Sequence, residues 1–279
     1  MRKAPNCLGR TLVAMRTQIL TRMPRHHRES VWSLDTPGRQ HDMHSPGGAL
    51  GWERNRLLGA VSADTRAQFT AGLQQVHLNA KQVLAGAGVP IWNVYFPRDA
   101  VVSLLVPRED GALIEGATIG NEGLVGLGVF LGDRVGTEKF VVQVEGQAAR
   151  VPAHDFRSAM SNGGELVRLL SGYAVVLMSQ LARTAACNQV HSIGQRVARW
   201  LLMSHDRVGR DSFPLGHDGL ATLLGIHSAS VIEALGALHA ARTIEFRRDE
   251  ITILDVEDLE ATACEDYRLM SNAYESIHS

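Results

Sequence analysis

The chain has 279 residues, with 28 Lys and Arg against 29 Asp and Glu and a formal net charge of −1, which excludes a generic binder of polyanions. A hydrophobic share of 45% supports a real core, enough for one large or two ordinary domains. No apolar run reaches the roughly 18 residues of a membrane span, and no signal peptide is read at the N-terminus. The expectation is a cytoplasmic protein without a membrane partner. Cys7, Cys187 and Cys264 match no zinc or haem-attachment spacing. They read as three unrelated thiols of a reducing compartment, and no metal site is expected.

Residues 1–50 carry Arg2, Lys3, Arg10, Arg16, Arg22, Arg25, Arg28 and Arg39 against Glu29, Asp35 and Asp42, and no helical or strand period persists there. They read as a disordered basic extension. Residues 52–70 look like a short helical lead-in. From Val76 to Phe156 the texture is one of short β-rich runs ended by turn signals. Residues 91–96 stop at Pro97, residues 101–106 stop at Pro107, and residues 112–119 return after Glu109-Asp-Gly111. Residues 140–144 and 147–151 flank Glu145-Gly146. Strands at such spacing predict a small β-barrel or roll over residues 51–163.

Glu165 to Cys187 reads as one long helix. Leu166, Leu170, Tyr173, Leu177, Gln180 and Thr184 recur at alternating spacings of four and three, the period of a coiled-coil seam. This predicts a dimer interface on a helix over residues 164–188; the alternative is a helix packed on its own domain. His191 to Met203 is a second helix, with Arg196, Arg199, Arg207 and Arg210 facing phosphate or solvent.

Residues 217–236 read as a helix-turn-helix, the motif that places a second helix in the DNA major groove. Ala221 lets the helices approach, Gly225 permits φ > 0 at the turn, and Val231 packs the second helix back on the first. Residues 244–254 then form two strands about a turn, a β-wing, and a single helix from Leu259 to Tyr274 is expected to face water because it is acidic. The fold class is α+β. It comprises a jelly-roll-like β-roll, a dimerisation helix and a winged helix-turn-helix domain over residues 189–279. No nucleophile elbow, phosphate-cradling loop or His-Glu metal motif appears, so no enzyme is expected and no catalytic residue is assigned.

The order of elements resembles the Crp/Fnr superfamily of bacterial transcription regulators. The segments that carry the resemblance are Val94-Tyr-Phe-Pro97, Ile119-Gly-Asn-Glu-Gly-Leu-Val-Gly126, Ala185-Ala-Cys-Asn188, Arg196-Val-Ala-Arg-Trp-Leu-Leu202, Leu223-Leu-Gly-Ile226, Ala229-Ser-Val231 and Ile251-Thr-Ile-Leu-Asp255. Leu259-Glu-Ala-Thr-Ala-Cys-Glu265 is similar to the ending of an α-proteobacterial branch. The resemblance implies a cyclic-nucleotide-binding-like roll and a homodimer on near-palindromic double-stranded DNA, with RNA polymerase as a partner. His227, Ser228, Ala229, Ser230 and Glu233 would read DNA, and Arg247 and Arg248 in the wing would hold phosphate.

The chain departs from the family pattern in two places. Cyclic-nucleotide binders of the family use a Gly-Glu pair for the ribose and an Arg-Ser or Arg-Thr pair for the phosphate. Here Gly120 and Glu122 are split by Asn121, Gly136 precedes Thr137, and Arg134 is displaced. Gly120, Glu122, Arg134 and Thr137 are the expected effector pocket, but cyclic AMP is not the expected ligand, and the effector stays unassigned. With only Cys7 near the N-terminus an iron–sulfur cluster is not expected, and His77 and His154 do not make a haem site. Ser228 stands where relatives commonly carry an Arg able to grip guanine. The alternative function is therefore a sensory or heterodimerising paralogue that keeps the scaffold without reading DNA.

Overall fold

Asn55 caps α1 (Arg56–Ala60), its side chain accepting from Leu58 N–H. Its Nδ2 donates to Pro97 O and Gly123 O, each at 2.8 Å, so one fully buried amide joins the lead-in to the roll. The computed structural model describes residues 51–65, 72–133, 135–161, 163–247 and 249–278. The extension expected over residues 1–50 lies outside them.

Among the described residues, seven strands form the roll: β1 (Gln74–Leu78), β2 (Val83–Ala85), β3 (Asn93–Pro97), β4 (Val101–Pro107), β5 (Leu113–Ile119), β6 (Lys139–Val144) and β7 (Gly146–Pro152). They make a three-stranded sheet in the order β1-β7-β3 and a four-stranded sheet in the order β2-β6-β4-β5. All pairings are antiparallel. Alternating residues of both sheets, among them Leu78, Val94, Phe96, Val102, Leu104, Ile119, Val142 and Val151, share one core. The first five residues of β4 are buried without alternation, because helices cover the face turned away from the roll interior.

After α2 (Ala153–Met160), α3 runs Glu165–Val190. It is long and apolar enough to match a membrane span by length and composition, yet one side of it belongs to the protein core. Leu166, Leu170, Tyr173, Leu177 and Gln180 are buried within the protomer, and Thr184 is half-buried. The residues expected to form the dimer seam thus pack on their own roll and on the C-terminal helix, as the alternative required. Tyr173 donates to Leu124 O at 3.3 Å. Gln180, expected as a polar seam position, instead donates to Thr118 O at 3.1 Å and accepts from Tyr274.

The opposite side of α3 has its own heptad spacing. Arg168, Ser171, Val175, Met178, Ala182, Ala185 and Gln189 lie along it, with Val175 exposed at 58% and Met178 at 61%.

A capping box between Ser192 and Gln195 starts α4 (Ile193–Val208), and Gly209, at φ 68°, ends it. Next come β8 (Ser212–Pro214), α5 (His217–Leu224), α6 (Ser228–Ala240), β9 (Ile244–Arg247) and β10 (Glu250–Ile253). The wing forms as expected and gains a third strand, in the order β8-β10-β9.

The C-terminal segment is two helices, α7 (Val256–Thr262) and α8 (Asp266–His278), where one was expected. Ala263 takes extended backbone at ψ 160° and breaks the run. The expectation that this segment faces water is corrected for one side of it. Leu259, Tyr267, Met270 and Tyr274 are buried, and α8 packs along α3.

Candidate nucleic-acid interface

Helices α5 and α6 are related by a bend of 114°, within the range of helix-turn-helix units. Gly225 supplies the left-handed residue between them, at φ 63° and ψ 38°. Ile226 N–H donates back to Ala221 O at 3.1 Å, closing the turn. Ala221 and Val231 are buried between the helices, with Leu220, Leu224, Leu235 and Leu238 around them. Neither Gly216 nor His227 provides a side-chain cap, so the first amides of both helices lack that partner.

The outer side of α6 is open. His227, Ala229 and Glu233 are exposed, Ser228 and Ser230 are half-exposed, and Ile232 stands out at 51%. Ser228 Oγ donates to Asp218 Oδ1 at 2.7 Å, which ties the start of α6 to α5. His217 meets the wing residue Phe246 edge-on at 6.5 Å between ring centroids. In the wing, Arg247 is exposed and pairs with Glu245 at 2.6 Å. Arg248 lies outside the described residues, and Asp249 takes the turn at φ 66°. The structure therefore gathers His227, Ser228, Ala229, Ser230 and Glu233 on one helix end, with Arg247 on the neighbouring hairpin.

The arginines of α4 do not face phosphate or solvent as expected. Arg196, Arg199 and Arg207 are buried, and only Arg210, just past the helix, is exposed. Arg196 donates to Leu224 O and steadies the end of α5. Arg207 Nη2 and Nε reach Glu122 Oε1 at 2.9 and 3.0 Å, with further bonds to Met203 O and Thr118 O. Burial opposes the charge on Arg207, but the Glu122 carboxylate and its neighbours outweigh that and raise its pKa. A Cβ on Gly120 would fall 2.3 Å from Arg207 Cγ, so glycine is required for the guanidinium stem to pass. Gly123 yields in the same way to Tyr173.

This changes what the expected effector residues do. Gly120 and Glu122 come together, but around an arginine of the DNA-binding half. Thr137 sits on an exposed loop and donates to Glu138 at 2.9 Å, and Arg134 lies outside the described residues. A cavity of mixed polar and apolar lining beside the ion pair is bounded by Arg56, Asn121, Glu122, Met203, Asp206, Arg207, Tyr267, Met270, Ser271 and Tyr274. Sequence reasoning missed the roles of Arg207, Trp200 and Glu115. Trp200 Nε1 donates to Glu115 Oε2 at 2.8 Å, and Ser103 donates to the other oxygen. Burial pushes the Glu115 carboxyl above its ordinary pKa despite those bonds. A charged residue at mid-strand followed by an α4 with three arginines is the only signal that pointed to these contacts.

Residues 195–262 match the family model described as the Crp-like helix-turn-helix domain. No curated protein matches the chain in sequence. FixK2 from Bradyrhizobium japonicum has a similar structure, with TM-score 0.59 at 16% identity over 69% of this chain and 98% of that one. A CRP-family transcriptional regulator from Thermus thermophilus gives 0.56 at 18% identity, over 67% and 96%. CLP, the c-di-GMP responsive global regulator of Xanthomonas campestris, gives 0.53 at 16%, over 69% and 99%. At these identities the likeness is one of fold: β-roll, long helix and helix-turn-helix in the same order.

Proposed function

We propose that this chain, a Crp-like helix-turn-helix domain carried on the Crp/Fnr fold, is a cytoplasmic homodimeric transcription regulator that reads a near-palindromic DNA site. RNA polymerase is its expected partner at the promoter. The observation that carries the reading is the open N-terminal half of α6 beside the wing, inside the matched domain. His227, Ala229 and Glu233 lie where base edges would be met, and Glu233 is suited to accept from cytosine N4. Ser228, Ser230, Arg247 and Arg248 supply phosphate or base contacts. Three of the arginines of residues 190–254 are buried, so few phosphates are neutralised and salt dependence is shallow.

The exposed seam of α3 joins the two protomers and sets the reading heads about one helical turn, roughly 34 Å, apart. The signal acts where the roll pins the DNA-binding half, at Glu122–Arg207 and Glu115–Trp200. A small molecule that binds only the unpinned arrangement shifts the population toward it.

The bond from Ser228 to Asp218 favours a second reading, in which the scaffold is kept and the reader is silent. Selection of fragmented genomic DNA by the purified full chain, at two salt concentrations and beside a Ser228→Arg variant, separates them. The regulator reading expects a near-palindromic site from the unaltered chain and a changed preference from the variant. A site recovered by the variant alone supports the silent reader, and no specific recovery by either contradicts DNA reading.

A further inference from the structure

Along the chain Cys187 and Cys264 are 77 residues apart and carry no motif. In the fold their sulfurs are 3.6 Å apart, both buried. The last turn of α3 supplies Cys187 and, one turn on at its C-cap, His191. The break between α7 and α8 supplies Cys264 and Asp266. One ligand atom from each of the four lies within 4.8 Å of every other.

We infer that Cys187, His191, Cys264 and Asp266 form a structural zinc site tying the end of α3 to the α7–α8 turn. The sulfur separation is far from the about 2.05 Å of a disulfide. It matches the about 3.8 Å edge that two thiolates span on tetrahedral zinc with Zn–S bonds of about 2.3 Å. His191 Nδ1 lies 3.8 Å from Asp266 Oδ2, within a small side-chain adjustment of the roughly 3.3 Å edge expected for nitrogen and oxygen ligands. That Nδ1 is buried and has no hydrogen-bond partner among the described residues.

The surrounding groups are arranged as an outer shell for a metal. His191 Nε2 faces Glu265 Oε2 at 3.2 Å, so an Nε2–H donated there leaves the Nδ1 lone pair turned inward. Arg183 Nη1 holds the outer oxygen of Asp266 at 2.8 Å and leaves Oδ2 for the metal. Two sulfurs, an imidazole and one carboxylate suit zinc over the harder divalent ions. Four protein ligands close the site, which makes it structural and not catalytic. It sits at the α3–α4 junction, because α4 begins two residues after His191.

The test uses the full chain, stripped with a chelator under reducing conditions and titrated with Co²⁺ and then Zn²⁺. The expected result is one ion per chain, a thiolate-to-cobalt charge-transfer band that zinc displaces, and zinc protection of two of the three thiols from alkylation. Cys187→Ser and Cys264→Ser should each lose the band, Cys7→Ser should keep it, and Glu265→Gln should weaken binding by about 10–100-fold. If a cysteine variant fails to fold, the unaltered chain still decides. Absence of the band, or alkylation of all three thiols at the same rate with and without zinc, overturns the site. Direct pairing of His191 with the two carboxylates, with no ion between them, would give that result.

Discussion

The two sides of α3 carry the same period and meet different surroundings. Leu166, Leu170, Tyr173, Leu177 and Gln180 sit inside the protomer, against the roll and α8. Arg168, Ser171, Val175, Met178, Ala182, Ala185 and Gln189 keep the same alternation of three and four on the opposite side. The inner side holds the larger side chains and the buried amide. The outer side is smaller and mixes apolar with polar residues. A heptad pattern thus fixes the period of a buried stripe but not which neighbour buries it, and the stripe with the bulkier residues belongs to the protein's own core.

Truncations on the inner side should have the largest effect on the fold. Tyr173 is fully buried, so Tyr173→Ala should cost about 3–5 kcal/mol of unfolding free energy, measured by denaturant titration. A cost below about 1 kcal/mol would place this side at a mobile surface.

The ion pair at the edge of the inner side comes next. Arg207→Met leaves Glu122 buried without its counterion and should cost about 3 kcal/mol, with part recovered by adding Glu122→Gln. Recovery read from the double variant in the same titration separates the pair from simple packing loss. If the single and double variants are equally unstable, Glu122 and Arg207 act independently.

The smallest effect is expected at Glu115. Its carboxyl is raised by burial, so the folded state holds its proton more tightly than the unfolded state does. Stability from this group is present below the unfolded pKa and is lost as pH rises from there through the folded one. Glu115→Gln keeps an acceptor for Trp200 and removes the charge. Its thermal midpoint should equal or exceed that of the unaltered chain at neutral pH. Its stability should fall less as pH rises from the ordinary carboxylate range toward neutrality. A lower midpoint at neutral pH would mean that the ionised form is the one the fold prefers.

Much of the fold was legible because its signals are local. Pro97, Pro107 and Asp110-Gly111 bound strands that formed where the β-rich runs between these turn signals placed them. Gly225 marked the turn because its backbone takes φ 63° there without strain. The helix-turn-helix and wing followed from such punctuation. What was not legible depends on pairing across long separations. Arg207 carries the residue type of a surface and is buried only because Glu122, 85 residues earlier, meets it. Glu122 matched the type of a ligand-holding residue and pins the DNA-binding half instead. Cys187 and Cys264 share no spacing that a linear pattern could reveal, since two helices bring them together. The break at Ala263 escaped notice because neither Gly nor Pro signals it.

The central claim is that the outer side of α3 joins two reading heads while the inner side holds each protomer together. The most direct test is the solution mass, by light scattering at micromolar concentration, of the full chain and of a Val175→Lys, Met178→Lys variant. The account predicts two chains for the unaltered protein. For the variant it predicts one chain, still folded and with no specific DNA binding. A single chain for the unaltered protein, or two chains for the variant, would contradict it.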